Sequence, residues 1–120
     1  MNKNANRDTA ALTSWTWKQR LTATPRQNRD HLLARVVYAT EVAAAMPLDI
    51  DPHVRVSAID HQATVQATWD DVVAAGKLAA RFGLDQHAER GDEETGDVYH
   101  SWFAGEQIDS PLTLVTVVES

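Results

Sequence analysis

Cysteine is absent from the 120-residue sequence. Disulfide frameworks, thiolate zinc sites, iron–sulfur centres and thiol nucleophiles are therefore excluded, and a reducing compartment is compatible. No run of about 18 apolar residues occurs, so no segment reads as a bilayer span. Met1–Leu12 has bases but no apolar stretch behind them, so no secretory signal is read there and a cytoplasmic location is expected. Glycine is scarce, and Gly76, Gly83, Gly91, Gly96 and Gly105 are too scattered to build a phosphate-cradling loop. None of the serines (Ser14, Ser57, Ser101, Ser110, Ser120) sits in a Gly-x-Ser-x-Gly elbow or at Ser–Lys dyad spacing. No catalytic residue, cofactor or resident metal is nominated.

What the chain does have is enough apolar content, 43%, for one core, and enough charge, 23%, for solubility. Its net charge of −6 is unevenly placed. Residues 1–40 carry +5, through Lys3, Arg7, Lys18, Arg20, Arg26, Arg29 and Arg35 against Asp8 and Asp30. The remaining residues carry −11. Eight arginines against three lysines, with 18 alanines, point to a high-GC coding genome.

Residues 1–7 read as a disordered polar tail, and 8–120 as a single domain. The Asp8–Leu21 segment is ambiguous. Asp8 suits the cap of a short helix bearing Leu12 and Trp15, whereas Trp15-Thr16-Trp17 equally suits an extended piece. Thr24-Pro25 predicts a helix start, because threonine caps well and proline fits the first turn; Pro47 ends it after about Met46. Leu32, Leu33, Val36, Val37, Ala43 and Ala44 form one apolar stripe, expected to pack on the body of the domain. Tyr38, Val42 and Ala45 form a second patch that needs the Trp segment or another chain.

Alternation over His53–Ile59 and Ala63–Trp69, joined by Asp60-His61-Gln62, predicts a β-hairpin. Thr68-Trp69-Asp70-Asp71 resembles a capping box for a helix over 70–82, with Gly83 as its C-terminal stop and Leu84 as the accompanying apolar contact. Val72, Val73, Gly76, Ala79 and Ala80 are its expected packing face. Residues 85–97 hold six acids and two glycines without apolar pattern, and read as a mobile acidic loop. Val98–Ala104 and Leu112–Val118 complete the strands, the latter apolar or Thr on both faces and so expected at the centre of the sheet. The resulting expectation is an α+β fold in the order α-β-β-α-β-β. Its four-stranded, mainly antiparallel sheet carries the helices on one face, and the two αββ halves are similar in shape.

Three functional readings follow. The first is a small non-enzymatic protein–protein interaction module, self-associating as a homodimer or binding a host factor. Its candidate contacts are Tyr38 and Val42 on the long helix, Trp15 and Trp17, and the aromatics Tyr99, Trp102 and Phe103. The acidic body also suits a basic groove on a partner. The second is a nucleic-acid-associated regulator using the basic front end, with Arg26 and Arg29 on phosphate and Trp15 and Trp17 stacking. The −11 body opposes that polyanion. The third is a metal-dependent enzyme or ligand-binding domain at Asp49, Asp51 and His53, which alternate and so share one side of an extended chain. Asp60-His61 reads as an ordinary turn, His87 as a surface group, and His100 as a structural strand histidine.

The succession from Val54 to Val118 is a hairpin, a Trp-Asp-Asp-capped helix ending Leu-Ala-Ala-Arg-Phe-Gly-Leu, an acidic loop, Tyr-His-Ser-Trp-Phe-Ala-Gly, then Leu-Thr-Leu-Val-Thr-Val-Val. It resembles small proteins carried by phages, plasmids and integrated elements of high-GC bacteria. The resemblance covers about half the chain and implies an accessory role, such as modulating a host protein. It carries over no site residue.

Deleting Leu114–Ser120 removes most of the strongest strand. The truncated chain is expected to lose its cooperative thermal transition by circular dichroism, and a near-native melt would refute the central placement.

Overall fold

Threonine at the mouth of the long helix does the capping its sequence position suggests. Thr24 accepts from the Gln27 N–H while the Gln27 side chain accepts from the Thr24 N–H, a reciprocal box that orients helix α2, Pro25–Ala44. A short helix α1, Trp17–Thr22, precedes it. The computed structural model describes Trp15 and residues 17–120. The tail expected over residues 1–7 and most of the ambiguous segment that follows lie outside the described residues. Within that segment the helix begins at Trp17.

Helix α2 turns inward the side opposite to its apolar stripe. His31, Arg35, Tyr38, Ala39 and Val42 are buried, while Leu33 is 61% and Val36 39% exposed. Tyr38 and Val42 are therefore core residues and not an outer patch. Hydrophobicity alone misplaces the face because the inward side includes His31 and Arg35. Their polar atoms find partners on the sheet, so their burial is tolerable. Tyr38 also donates its hydroxyl proton to the Phe82 carbonyl, tying α2 to the end of the next helix.

The sheet has five strands, not four, in the order β1-β2-β5-β4-β3. They are β1 His53–Val56, β2 Ala63–Thr68, β3 Gln86–Gly91, β4 Val98–Phe103 and β5 Leu112–Val118. The expected β1–β2 hairpin is present, with Val54 opposite Val65. β4 is antiparallel to both β3 and β5. β2 and β5 run parallel, Ala63 beside Leu112 through Thr68 beside Val117, so the sheet is mixed. β5 sits at its centre, as its two apolar faces imply, with Leu112 and Leu114 fully buried.

The extra strand lies in the stretch expected to be a mobile loop, and it also breaks the likeness between the two αββ halves. Gln86–Gly91 is an edge strand, exposed at almost every position, so its side chains have no reason to alternate in polarity. Backbone pairing to β4 holds it, and its charges suit an edge that must not recruit another chain. Only the tight turn at 92–97 remains. Asp92 accepts from the Glu94 and Thr95 N–H groups there, and Gly96 adopts φ 78°.

Helix α3, Val72–Arg81, starts later than Thr68-Trp69-Asp70-Asp71 suggests. Asp71 is the N-cap and accepts from Ala74 N–H, whereas Thr68 still belongs to β2. The C-terminal stop is as expected. Gly83 at φ 78° donates to Ala80 O, and buried Leu84 donates to Ala79 O, a Schellman closure. The packing face is Ala75, Leu78 and Ala79 with Val72 and Gly76 at its margin; Val73 and Ala80 point outward. α2 packs over β1 and β2, and α3 over β4 and β5. One cluster built around Val42, Val65, Leu78, Trp102 and Leu114 fills the space between.

Gly76 faces the Trp102 indole, where an added Cβ would lie 3.5 Å from Nε1, an ordinary contact. Gly76→Ala therefore adds helix propensity without a clash and is expected to stabilise by about 0.5–1 kcal/mol, read from denaturant unfolding. A loss of stability would show that α3 lies closer to the sheet than this spacing.

Candidate functional site

Strand alternation sorts the sheet residues onto two surfaces. Val65, Leu114, His100 and Trp102 face the helices. Gln66, Val115, Ser101 and Ala88 form a row on the other side, flanked by Tyr99 with Val117 and by Phe103. No described helix covers this second face. Tyr99, Phe103, Ser101 and Val115 are half-buried there. The Arg90 guanidinium lies 5.6 Å from the Tyr99 ring centre, a cation–π placement that holds both side chains. A depression of about 340 Å3 is lined by Gln66, Arg90, Tyr99, Ser101, Gln107 and Val115. A shallower one, about 260 Å3, continues across β1 at His53, Arg55 and Gln66. The strand positions facing this side carry Arg55 and Arg90 and no carboxylate, although the chain as a whole is at −6.

The residues nominated from sequence divide among four places. Tyr99 and Phe103 are on the bare face. Trp102, their neighbour, points the other way and is buried in the core, so it is not an exposed contact aromatic. Trp15 is half-buried, stacked on His31 at 4.2 Å between ring centres. It lines a groove of about 430 Å3 with Gln19, Gln27 and Asp30. Trp17 opens α1. Arg26 and Arg29 are exposed on the first turns of α2, and Arg26 pairs with Asp30 only at 3.9 Å between largely exposed side chains, a contact of little energetic consequence. Asp51 and His53 approach to 3.7 Å on the surface, but Asp49 does not complete a cluster. Among the described residues no group of three His, Asp or Glu is placed to hold a metal ion.

Sequence reasoning missed two histidine pairs on the helix side. His31 on α2 meets His61 from the β1–β2 connection, Nδ1 to Nδ1 at 2.7 Å. His61 is not a surface turn residue. It is fully buried, and its backbone is left-handed at φ 56°, a conformation histidine tolerates better than most. Beside it the Arg35 side chain, 1% exposed, donates to the carbonyls of His61 and Pro111. Burial lowers the Arg35 pKa from 12.5 to about 10, against the pull of Tyr38 and Asp60, and the group stays charged at neutral pH. The second pair is His87 on β3 and His100 on β4, Nε2 to Nδ1 at 2.9 Å. No local pattern marks either pair, because each joins residues brought together by strand pairing or helix docking.

Burial first, and then the Arg35 charge, hold the His61 imidazole below its ordinary value of 6.5; Asp60 opposes and Arg20 adds to the effect. The unfolded chain therefore takes up a proton near pH 6.5 that the folded chain resists. This contribution to stability is complete above that pH and is lost as the pH falls through the folded-state value. The melting temperature is expected to drop between about pH 7.5 and 5.5, and His61→Asn, which keeps the left-handed backbone, is expected to reduce the slope. A flat profile in the wild-type chain would contradict it. No described helix is long and apolar enough to cross a membrane. No protein-family model, curated protein or solved structure matches the chain.

Proposed function

We propose that the protein is a small non-enzymatic interaction module that binds another protein across the bare face of its sheet. The accessory role on a mobile element, modulating a host protein, belongs to the same proposal. One observation carries it: α2 and α3 lie on the same side of the sheet, and Tyr99 and Phe103 stand on the other with no described helix over them. Aromatic residues held in place by a neighbour lose little side-chain entropy on binding and suit the centre of an interface. Arg55 and Arg90 at opposite edges, with no carboxylate between them, favour a partner surface that offers acids around an apolar centre. Two copies meeting face to face would oppose arginines, so a different protein is the better occupant than a second copy.

A second reading keeps the basic front end. Lys18, Arg20, Arg26 and Arg29 are all exposed, a disposition suited to phosphate. Charge reversal at Arg20, Arg26 and Arg29 separates the two, since it should abolish nucleic-acid retention under the second reading and leave protein capture intact under the first.

The decisive comparison uses the full chain as bait with host lysate. A protein retained by wild type and by an α2 surface variant, Leu33→Asp with Val36→Asp, but lost with Arg90→Glu and Phe103→Ser, is the expected result. Loss in the α2 variant alone would move the contact to the helix, and light scattering showing a stable dimer would replace the foreign partner by a second copy.

A further inference from the structure

We propose that His87 and His100 form a binding site for a divalent metal ion of the copper–nickel class, on the helix side of the sheet and independent of the bare face. The register of β3 and β4 sets His87 opposite Trp102 and Glu89 opposite His100, so all four side chains emerge on one surface. The two imidazoles are nearly parallel, at 8°, with ring centres 5.1 Å apart, and His87 lies 4.9 Å from the Trp102 ring. His100 is buried and backed by the core, whereas His87 is exposed on the edge strand. One ligand is thus pre-positioned and the other is open to solvent.

The separation of the two nitrogens is informative. Metal–imidazole bonds of about 2.0–2.1 Å place two ligands roughly 2.9 Å apart at a right angle and roughly 3.4 Å apart at a tetrahedral angle. The observed 2.9 Å matches neighbouring positions of a square-planar or octahedral ion, the geometry of Cu2+ and Ni2+ with nitrogen and oxygen ligands. Two neutral imidazoles bonded N–H to N meet such an ion at little cost. The donor ring carries its proton on its other nitrogen instead, and both facing lone pairs become ligands. Water fills the remaining positions, with the Glu89 carboxylate one strand away. An independent sign comes from Thr116, which lies directly across from His100 on the central strand. Its Oγ1 is buried and has no hydrogen-bond partner among the described residues. A metal-bound water beside His100 would give it one.

The test is titration of the full chain with Cu2+, followed by calorimetry and by the imidazole resonances in nuclear magnetic resonance spectra. One equivalent is expected to bind, to broaden the His87 and His100 signals first, and to quench tryptophan fluorescence through Trp102. Outer-shell partners of metal sites are worth about 10–100-fold in affinity, so loss of a direct ligand in His87→Ala is expected to weaken binding at least tenfold. That position is exposed, so the variant should melt like wild type, and His53→Ala should bind like wild type. Broadening centred on His53 or on His31 and His61, or undiminished affinity in His87→Ala, would overturn the proposal.

Discussion

The fold depends on the parallel pairing of β2 with β5. Six consecutive residues of β2, Ala63 to Thr68, run beside Leu112 to Val117, and this ladder joins the β1–β2 hairpin to the β3–β4–β5 meander. Parallel neighbours need a crossover between them, and here α3, β3 and β4 together supply it. The strand beginnings are stapled by one side chain. Arg35 reaches from α2 to the carbonyl of His61, just ahead of β2, and to that of Pro111, just ahead of β5. A guanidinium is suited to this place because its several donors lie in one plane and its charge survives burial. With Pro111 O also accepting from Ala63 N–H, the two strands enter the sheet in step.

From this pairing follows the sidedness of the molecule. α2 covers the hairpin, and α3, closing on Gly83 and Leu84, covers β4 and β5. Residues at odd positions of β2 and even positions of β5 become core. The intervening ones, Gln66 and Val115 among them, become a surface with Tyr99, Ser101 and Phe103. The charge asymmetry of the chain acquires a new meaning in this setting. The acids gather on connections, on turns and on the helix-facing edge of β3, and the bare face keeps its two arginines without carboxylates on its strands.

Much of this was legible from local chemistry. Thr24-Pro25, Gly83-Leu84, the alternation around Val54 and Val65, and the two apolar faces of Leu112–Val118 each name an element because capping, left-handed backbone and strand burial act within a few residues of their cause. Tyr99 and Phe103 were legible as surface aromatics for the same reason. β3 was not, since an edge strand exposed on both sides is held by backbone hydrogen bonds to β4, and those leave no trace in side-chain polarity. Nor was the inward side of α2, where partners distant in sequence make the burial of His31 and Arg35 acceptable.

The sequence by itself determined the helix ends, the hairpin, the central character of β5 and the absence of thiol chemistry, all consequences of short-range sterics or of composition. Tertiary structure alone decided which face of α2 is core, that Trp102 turns away from Tyr99 and Phe103, and that His31 meets His61 and His87 meets His100. Those outcomes depend on strand register and helix docking. A shift of one residue in the pairing of β3 with β4 would have sent His87 to the opposite face, so no inspection of neighbours along the chain can reveal the contact.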